Sequence, residues 1–230
     1  YNGDRGLAVK ARLNLPNDIA VDSRGNLFIA DWENHRIRKV DPKGVITTVA
    51  GTGVKGCTGD QEPATNAALF SPIAIALNQR GSLFIAERDI NRICKVDTSG
   101  IITSIAGTGD FGPGGNGGPA IEAEMNYPSG LAVDGRGNLF IADTANCMIR
   151  KVNPNGIITT VAGTGYGAYS GDGGPAIAAD INYPKGLTIG NKQNLFFADF
   201  YNHCIRRISG GISGDGVFQV FRGHHTYFDT

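Results

Sequence analysis

The chain has 230 residues, enough for one large domain or two small ones, and 34 of them are glycine, roughly twice ordinary usage. No Gly-X-Y period accompanies the glycines, which excludes collagen, and the 41% of hydrophobic residues fall in short runs, which excludes both a disordered chain and a membrane-spanning helix. Lysine plus arginine equals aspartate plus glutamate at 21 each, a balance that argues against a general nucleic-acid or membrane-surface binder.

In chain order, residues 1–10 carry no signal-peptide pattern, and Gly3 to Leu13 reads as a linker ahead of the first unit. Strands are then predicted at Asp18 to Val21, Leu27 to Ala30, Arg36 to Val40 and Val45 to Ala50. The turn Asp22-Ser23-Arg24-Gly25-Asn26 separates the first two. The whole pattern then recurs. Pro16, Pro72, Pro128 and Pro184 stand 56 residues apart, and eleven residues after each comes Leu-Phe-Ile-Ala, or Leu-Phe-Phe-Ala in the last copy. Isoleucine follows at 37, 93, 149 and 205. Only the last strand of the fourth copy diverges, and it is placed at Val217 to Phe221. Four strands per unit at this period predict an all-β fold, a β-propeller of four 56-residue blades over about 16–51, 72–107, 128–163 and 184–222, with an irregular tail 223–230.

Linkers at Gly51 to Ser71, Gly107 to Tyr127 and Gly163 to Tyr183 each open after Ala with Gly-Thr-Gly and then pass a glycine-rich tip. They close on Pro-Ala with alanines at helical spacing, predicting one helical turn capping the gap between blades.

These residues resemble the NHL repeat. Pro16 to Asp22, Gly25 to Asp31 and Asn34 to Val40 carry its pattern, and Asn202-His203 repeats the Asn-His pair; Ile90-Asn91 and Asn146-Cys147 depart from it. The Gly-Asp-Gly-Gly-Pro-Ala linker (Gly171 to Ala176) looks like the long-linker variety of bacterial multidomain and teneurin-like surface proteins. The resemblance implies a propeller, often six-bladed, that serves as an interaction platform, and it is the ground for expecting an extracellular or exported protein. Some members bind RNA, and relatives of the fold are lyases or lactonases.

The carboxylate closing each second strand (Asp31, Glu87, Asp143, Asp199) recurs beside basic residues on each third strand, such as Arg38, Arg150 and Arg206. In-register opposite charges are expected to pair within their blades and with Asp41 or Asp97, so nucleic acid is disfavoured. Asp4, Asp60, Asn116 and Asp172 share a linker register and are expected to form turns, since one carboxylate per linker falls short of a calcium shell. His35 and His203 are expected to be exposed turn residues, and no metal site, cofactor or nucleophile motif is read. Cys57, Cys94, Cys147 and Cys204 lack zinc spacing and are expected to be mostly free thiols.

What remains is a surface. The turns after the second strands and the linkers emerge on one face, which carries the candidate binding residues Trp32, His35, Arg88, Asn91, Phe200, Tyr201 and His203. The reading is a non-enzymatic binding or assembly module for a protein partner or further propeller blades, with a small ligand or glycan possible and no membrane insertion. A hydrolase- or lyase-type propeller enzyme and a carbohydrate-binding propeller are the alternatives. The first strands offer Asp18 as their single carboxylate, and the aromatic turn positions do not repeat. Four blades of a six-bladed kind turn through about two thirds of a ring, so exposed apolar faces are expected on blades one and four. A fragment of a longer propeller or assembly is favoured over a closed four-bladed monomer.

Overall fold

The computed structural model describes residues 2–209 and 217–221. Blade one comprises β2 (Pro16–Val21), β3 (Leu27–Asp31), β4 (Arg36–Val40) and β5 (Val45–Ala50), with β1 (Gly6–Leu7) added outside β5. Blade two is β6 (Pro72–Leu77), β7 (Leu83–Glu87), β8 (Arg92–Val96) and β9 (Ile102–Ala106). Blade three is β10 (Pro128–Val133), β11 (Leu139–Asp143), β12 (Met148–Val152) and β13 (Ile158–Ala162). Blade four is β14 (Pro184–Ile189), β15 (Leu195–Asp199), β16 (Cys204–Ser209) and β17 (Val217–Phe221), the last at the bounds predicted for it. Each blade is an antiparallel sheet in sequence order. The expected tail at 223–230, with His224 and His225, lies outside the described residues.

Inner strands begin at the prolines, two residues earlier than predicted. A bulge lets each proline pair with the carboxylate ending the second strand (Pro16 with Asp31, Pro72 with Glu87), the strand-start position that suits a residue without an N–H. The expected helical turns are single 3-10 turns at Ala64–Asn66, Ala120–Glu122 and Ala176–Ala178. Beyond its glycine-rich tip each linker runs along the outer strand of the blade it enters, through β1 with β5 and the bridges Pro63 to Ile101, Pro119 to Ile157 and Pro175 to Val217. The outer sheet edge is thereby covered.

Three seams hold the blades together, and all are built alike. The Phe-Ala-Ile face of one blade meets the Leu-Ile-Val face of the next, with linker alanines and one larger apolar residue wedged between them. Phe84 and Phe140 are buried, whereas Phe28 and Phe196 are half-buried, so the four phenylalanines share a register but not a burial. Among the described residues, blade one does not pack directly on blade four to close the ring. Ile19 of β2 is 62% exposed where its counterparts Ile75 and Leu131 are 3% and 5% exposed. Among the described residues no helix is long and apolar enough to cross a membrane.

Candidate functional site

At the end of each second strand the chain makes a 3-10 turn, Trp32–Asn34, Arg88–Ile90, Thr144–Asn146 or Phe200–Asn202. A left-handed residue follows each turn: His35, Asn91, Cys147 or His203, with φ between 50 and 52°. The recurrent carboxylates are consumed in building these turns. Asp31, Asp143 and Asp199 accept the N–H of Asn14, Asn126 and Asn182 at 2.7–2.8 Å and the amide of Asn34, Asn146 and Asn202 at 2.8–2.9 Å. Each also meets the fully buried arginine of its own blade, Arg38 at 3.5 Å, Arg150 at 3.3 Å and Arg206 at 3.2 Å. The intra-blade pairing expected from the repeat is therefore present.

The second partner differs from expectation. Asp41 and Asp97 accept backbone N–H groups of their own turns instead of arginine. The linker residues supply the outer contacts: Asp4 and Asp172 pair with Arg38 and Arg206 at 2.7 Å, while Asp60 and Asn116 accept the N–H of Ser104 and Thr160 at 2.6 Å. That register pins each linker to the third strand (Arg38, Arg206) or the outer strand (Ser104, Thr160) of the blade it enters, a role beyond turn formation. Blade two replaces the Asp–Arg pair by Glu87 and Cys94, whose thiol donates to the Glu87 Oε1 at 3.0 Å. Burial pushes the Glu87 carboxyl up and the Cys94 thiol well up. All four cysteines are free thiols, Cys57 exposed and the others buried.

The left-handed residues are seam clamps. The His35 Nδ1 accepts the N–H of Ser71 at 3.4 Å, the Asn91 Oδ1 accepts that of Tyr127 at 2.9 Å, and the Cys147 sulfur accepts that of Tyr183. Each donor directly precedes the proline opening the next blade. His35 is thus half-buried and engaged, contrary to an exposed turn residue, and desolvation lowers the pKa of its imidazole. The recurrence of this geometry from blade to blade also explains the Ala-Gly-Thr-Gly motif. Gly51, Gly107 and Gly163 lie at φ near +91°, and a Cβ there would come within 2.1–2.3 Å of the carbonyl of His35, Asn91 or Cys147.

The remaining turn side chains gather at the mouth of the central channel in two clusters. In one, Arg88 stacks 5.0 Å from the Trp32 ring and 5.9 Å from the Tyr127 ring, oriented by Asp89 at 2.9 Å. The Trp32 Nε1–H is buried there without an acceptor. In the other, Lys185 lies 3.8 Å over Phe200, which meets Tyr201 edge-on, and Tyr201 in turn packs on Tyr183 at 4.8 Å. Tyr127, Phe200 and Tyr201 are about half exposed. Between the clusters opens a cavity of about 500 Å³ lined in part by Asn17, Asp18, Arg88, Ser129, Lys185 and Thr188. Asp18 accepts the N–H of Ile19 and, from the neighbouring blade, of Ile75, both at 2.8 Å; burial raises its pKa.

Of the seven candidates, Trp32 and Arg88 come together, Phe200 and Tyr201 come together, and His35 and Asn91 sit in the seams. His203 stands exposed at the blade-four equivalent of the clamps. Sequence reasoning missed Tyr127, Tyr183 and Lys185. Their signal was the position beside each repeat proline, where an aromatic or a cation interrupts an otherwise small or apolar set.

A sequence profile of the family described as "Teneurin NHL domain" matches residues 1–57 and 109–170. Human teneurin-1 is 31% identical over 90% of this chain, which corresponds to 8% of that protein, and bovine NHL repeat-containing protein 2 is 28% identical over 87% of this chain and 32% of its own length. The chain therefore spans at most about a third of these relatives. Among solved structures, a streptogramin B lyase superposes with a TM-score of 0.63 at 16% identity over 94% of this chain and 57% of that one. A gluconolactonase of Xanthomonas campestris superposes with a TM-score of 0.60 at 15% identity over 92% and 63%. At these identities the likeness is one of fold.

Proposed function

This chain belongs to the NHL-repeat family of the teneurin NHL domain, and from that premise we propose that it is a non-enzymatic binding module of an extracellular or exported protein. Its recognition surface is the turn face around the channel mouth, and its partner is a protein. One observation carries this reading: two aromatic–cation clusters, Trp32–Arg88–Tyr127, in which Trp32 is partly buried against the seam core and Tyr127 is exposed, and Lys185–Phe200–Tyr201, in which both aromatics are exposed, flank the channel on an otherwise regular framework. Aromatic and arginine side chains of this kind serve as interface anchors, because they bury large areas while losing few rotamers.

The channel itself supports binding better than catalysis. Among the described residues that line it, Asp18 is the single carboxylate, and both its oxygens are held by backbone N–H groups, so no acid–base pair faces the cavity. A glycan or small ligand would compete for the same mouth. The test compares the chain with a Trp32→Ala/Phe200→Ala/Tyr201→Ala variant in cross-linking mass spectrometry against extracellular protein from the source organism. Cross-links that map to the turn face and vanish in the variant support the reading; partners retained unchanged by the variant overturn it.

A further inference from the structure

We propose that Cys57 and Cys94 are a redox pair. An oxidised small thiol joins them into a disulfide that ties the linker between blades one and two to the third strand of blade two, with Glu87 taking the proton that Cys94 gives up. Both thiols are free in the structure, which is the reduced form of the pair.

The repeat places the two cysteines against each other. Cys94 stands where blades one, three and four carry Arg38, Arg150 and Arg206, and Cys57 shares its repeat position with Pro113 and Tyr169. In blades three and four these two positions touch: the Arg150 Nη1 donates to the Pro113 carbonyl at 3.4 Å, and the Arg206 guanidinium lies 5.2 Å from the Tyr169 ring. In blade two both positions have become cysteine. The pair lines one pocket of about 20 Å³ together with Asp60, Leu69 and Glu87, space for about one water molecule. Neither Cys147 nor Cys204 lines it.

Packing explains one of the two substitutions. Glu87 is one methylene longer than the aspartates of the other blades, which carries its carboxylate toward the space the guanidinium would fill, and a small buried thiol donates to it at 3.0 Å. Cys57 has no such reason. It is exposed in a linker, whereas free cysteine is among the most buried residue types. Proline and tyrosine serve at the same position elsewhere, so the linker itself does not ask for a thiol. The backbone on either side of Cys57 is fastened: the Gly56 N–H donates to the Leu69 carbonyl at 3.3 Å, and the Thr58 carbonyl accepts the Ala68 N–H at 3.1 Å.

Access sets the order of the chemistry. Cys57 meets the oxidant first, and its sulfur attacks oxidised glutathione to form a mixed disulfide, releasing one glutathione thiol. Cys94 is shielded, and burial pushes its thiol well up, so it does not react with outside reagents. Its proton already points at Glu87. Transfer of that proton to the carboxylate gives a thiolate that attacks the Cys57 sulfur and expels the second glutathione as a thiolate, which takes up a proton from water. Two protein thiols are oxidised, and one glutathione disulfide is reduced to two thiols. The other Glu87 oxygen accepts the Phe70 N–H at 2.6 Å, which holds the carboxylate in place throughout.

The test incubates the native 230-residue chain with oxidised glutathione, alkylates the remaining thiols and maps tryptic peptides. Peptide 56–80 is expected linked to Ile93-Cys94-Lys95 within one chain, with Cys147 and Cys204 alkylated. The closed loop should raise the melting temperature by roughly 5–15 °C, a gain that reductant reverses. Cys94→Ser is expected to accumulate glutathione on Cys57, and Cys57→Ser to leave Cys94 unmodified; neither should show the thermal gain. Glu87→Gln keeps an acceptor for Phe70 and is expected to slow bridge formation about tenfold or more, so that glutathione builds up on Cys57. Glutathione remaining on wild-type Cys57 without a bridge overturns the proposal, as does Cys57 linked to another chain, to Cys147 or to Cys204. Bridging in Glu87→Gln as fast as in wild type overturns the role given to Glu87.

Discussion

Arg150→Ala probes the blade architecture most directly. Arg150 and Asp143 are both 0% exposed, and the guanidinium meets the Asp143 carboxylate at 3.3 Å and the linker carbonyls of Pro113 and Gly114 at 3.4 Å each. Removing one member of a buried pair costs about 3–5 kcal/mol, because the other is left without compensation. Two facts place Arg150 at the lower end. Its contacts are long, and Asp143 keeps two shorter hydrogen bonds, from Asn126 at 2.7 Å and Asn146 at 2.9 Å. A loss of about 3 kcal/mol in a domain of this size lowers the melting temperature by roughly 6–12 °C.

The defect should also depend on pH. Burial pushes the Asp143 carboxyl up from 3.8 to about 6 against the pull of Arg150. A folded-state value above the unfolded one means that this group's contribution to stability is fully present below about pH 4 and is lost as pH rises through 6. At pH 5 the carboxyl is mostly protonated in the folded state, so deleting Arg150 strands less charge than at pH 8. Calorimetric or chemical unfolding of wild type and Arg150→Ala at both values decides the matter. The expected penalty is smaller at pH 5. A penalty under about 1 kcal/mol at pH 8, or one larger at pH 5, would refute the reasoning. Blade two supplies a control, since Glu87 and Cys94 fill the same two positions there. The double substitution Asp143→Glu/Arg150→Cys should cost less than the sum of its parts.

Three further outcomes are expected. Asn91→Ala removes the acceptor for the Tyr127 N–H and places alanine, whose Cβ disfavours the left-handed region, at φ 51°, so unfolding should show a loss of about 2 kcal/mol, with Asn91→Gly recovering only the conformational share. Gly107→Ala puts a methyl within 2.1 Å of the Asn91 carbonyl at φ +92° and should impair folding, seen as lost soluble yield or a melting temperature at least 10 °C lower, by roughly the cost of strain plus overpacking. Lys185→Glu reverses the charge over Phe200; it should leave the melting temperature near that of wild type while weakening any partner held at the turn face about tenfold, measurable by titration once a cross-linked partner is purified.

The blade pattern was readable because a period of 56 residues fixes the four strands of blades one to three and the first three of blade four, whereas β17 lies three residues beyond the register of β13 and was placed from its own apolar run. The carboxylate–arginine pairs were readable for the same reason, as opposite charges recurring on adjacent strands. The seam clamps were not. Histidine, asparagine and cysteine share no side-chain chemistry beyond a small acceptor and a tolerated left-handed backbone, so their common role appears only when Ser71, Tyr127 and Tyr183 are seen donating to them. The linker residues Asp4, Asp60, Asn116 and Asp172 were legible as a register but not as clamps, because their targets lie 34 or 44 positions away. Lys185 and Tyr183 escaped because a residue beside a repeat proline shows no partner in the sequence until the Phe200–Tyr201 turn of the same blade is seen to fold over it.

Repetition and function divide the same backbone between them. Positions that hold the blade together, the second-strand carboxylate, the buried isoleucine and the clamp, keep their chemistry from blade to blade or replace it by an equivalent acceptor. The first residue of each 3-10 turn does neither: it is Trp32, Arg88, Thr144 and Phe200 in succession, on four turns of the same geometry. Thr144 is spent internally, bonding Ser129 and the Pro184 carbonyl, whereas the other three project aromatic or cationic groups at the channel mouth. A scaffold requirement would act equally on four equivalent turns and would leave them alike. In the binding role proposed above, their divergence on a fixed frame would suit a surface shaped for an asymmetric partner, with specificity carried where the repeat is broken.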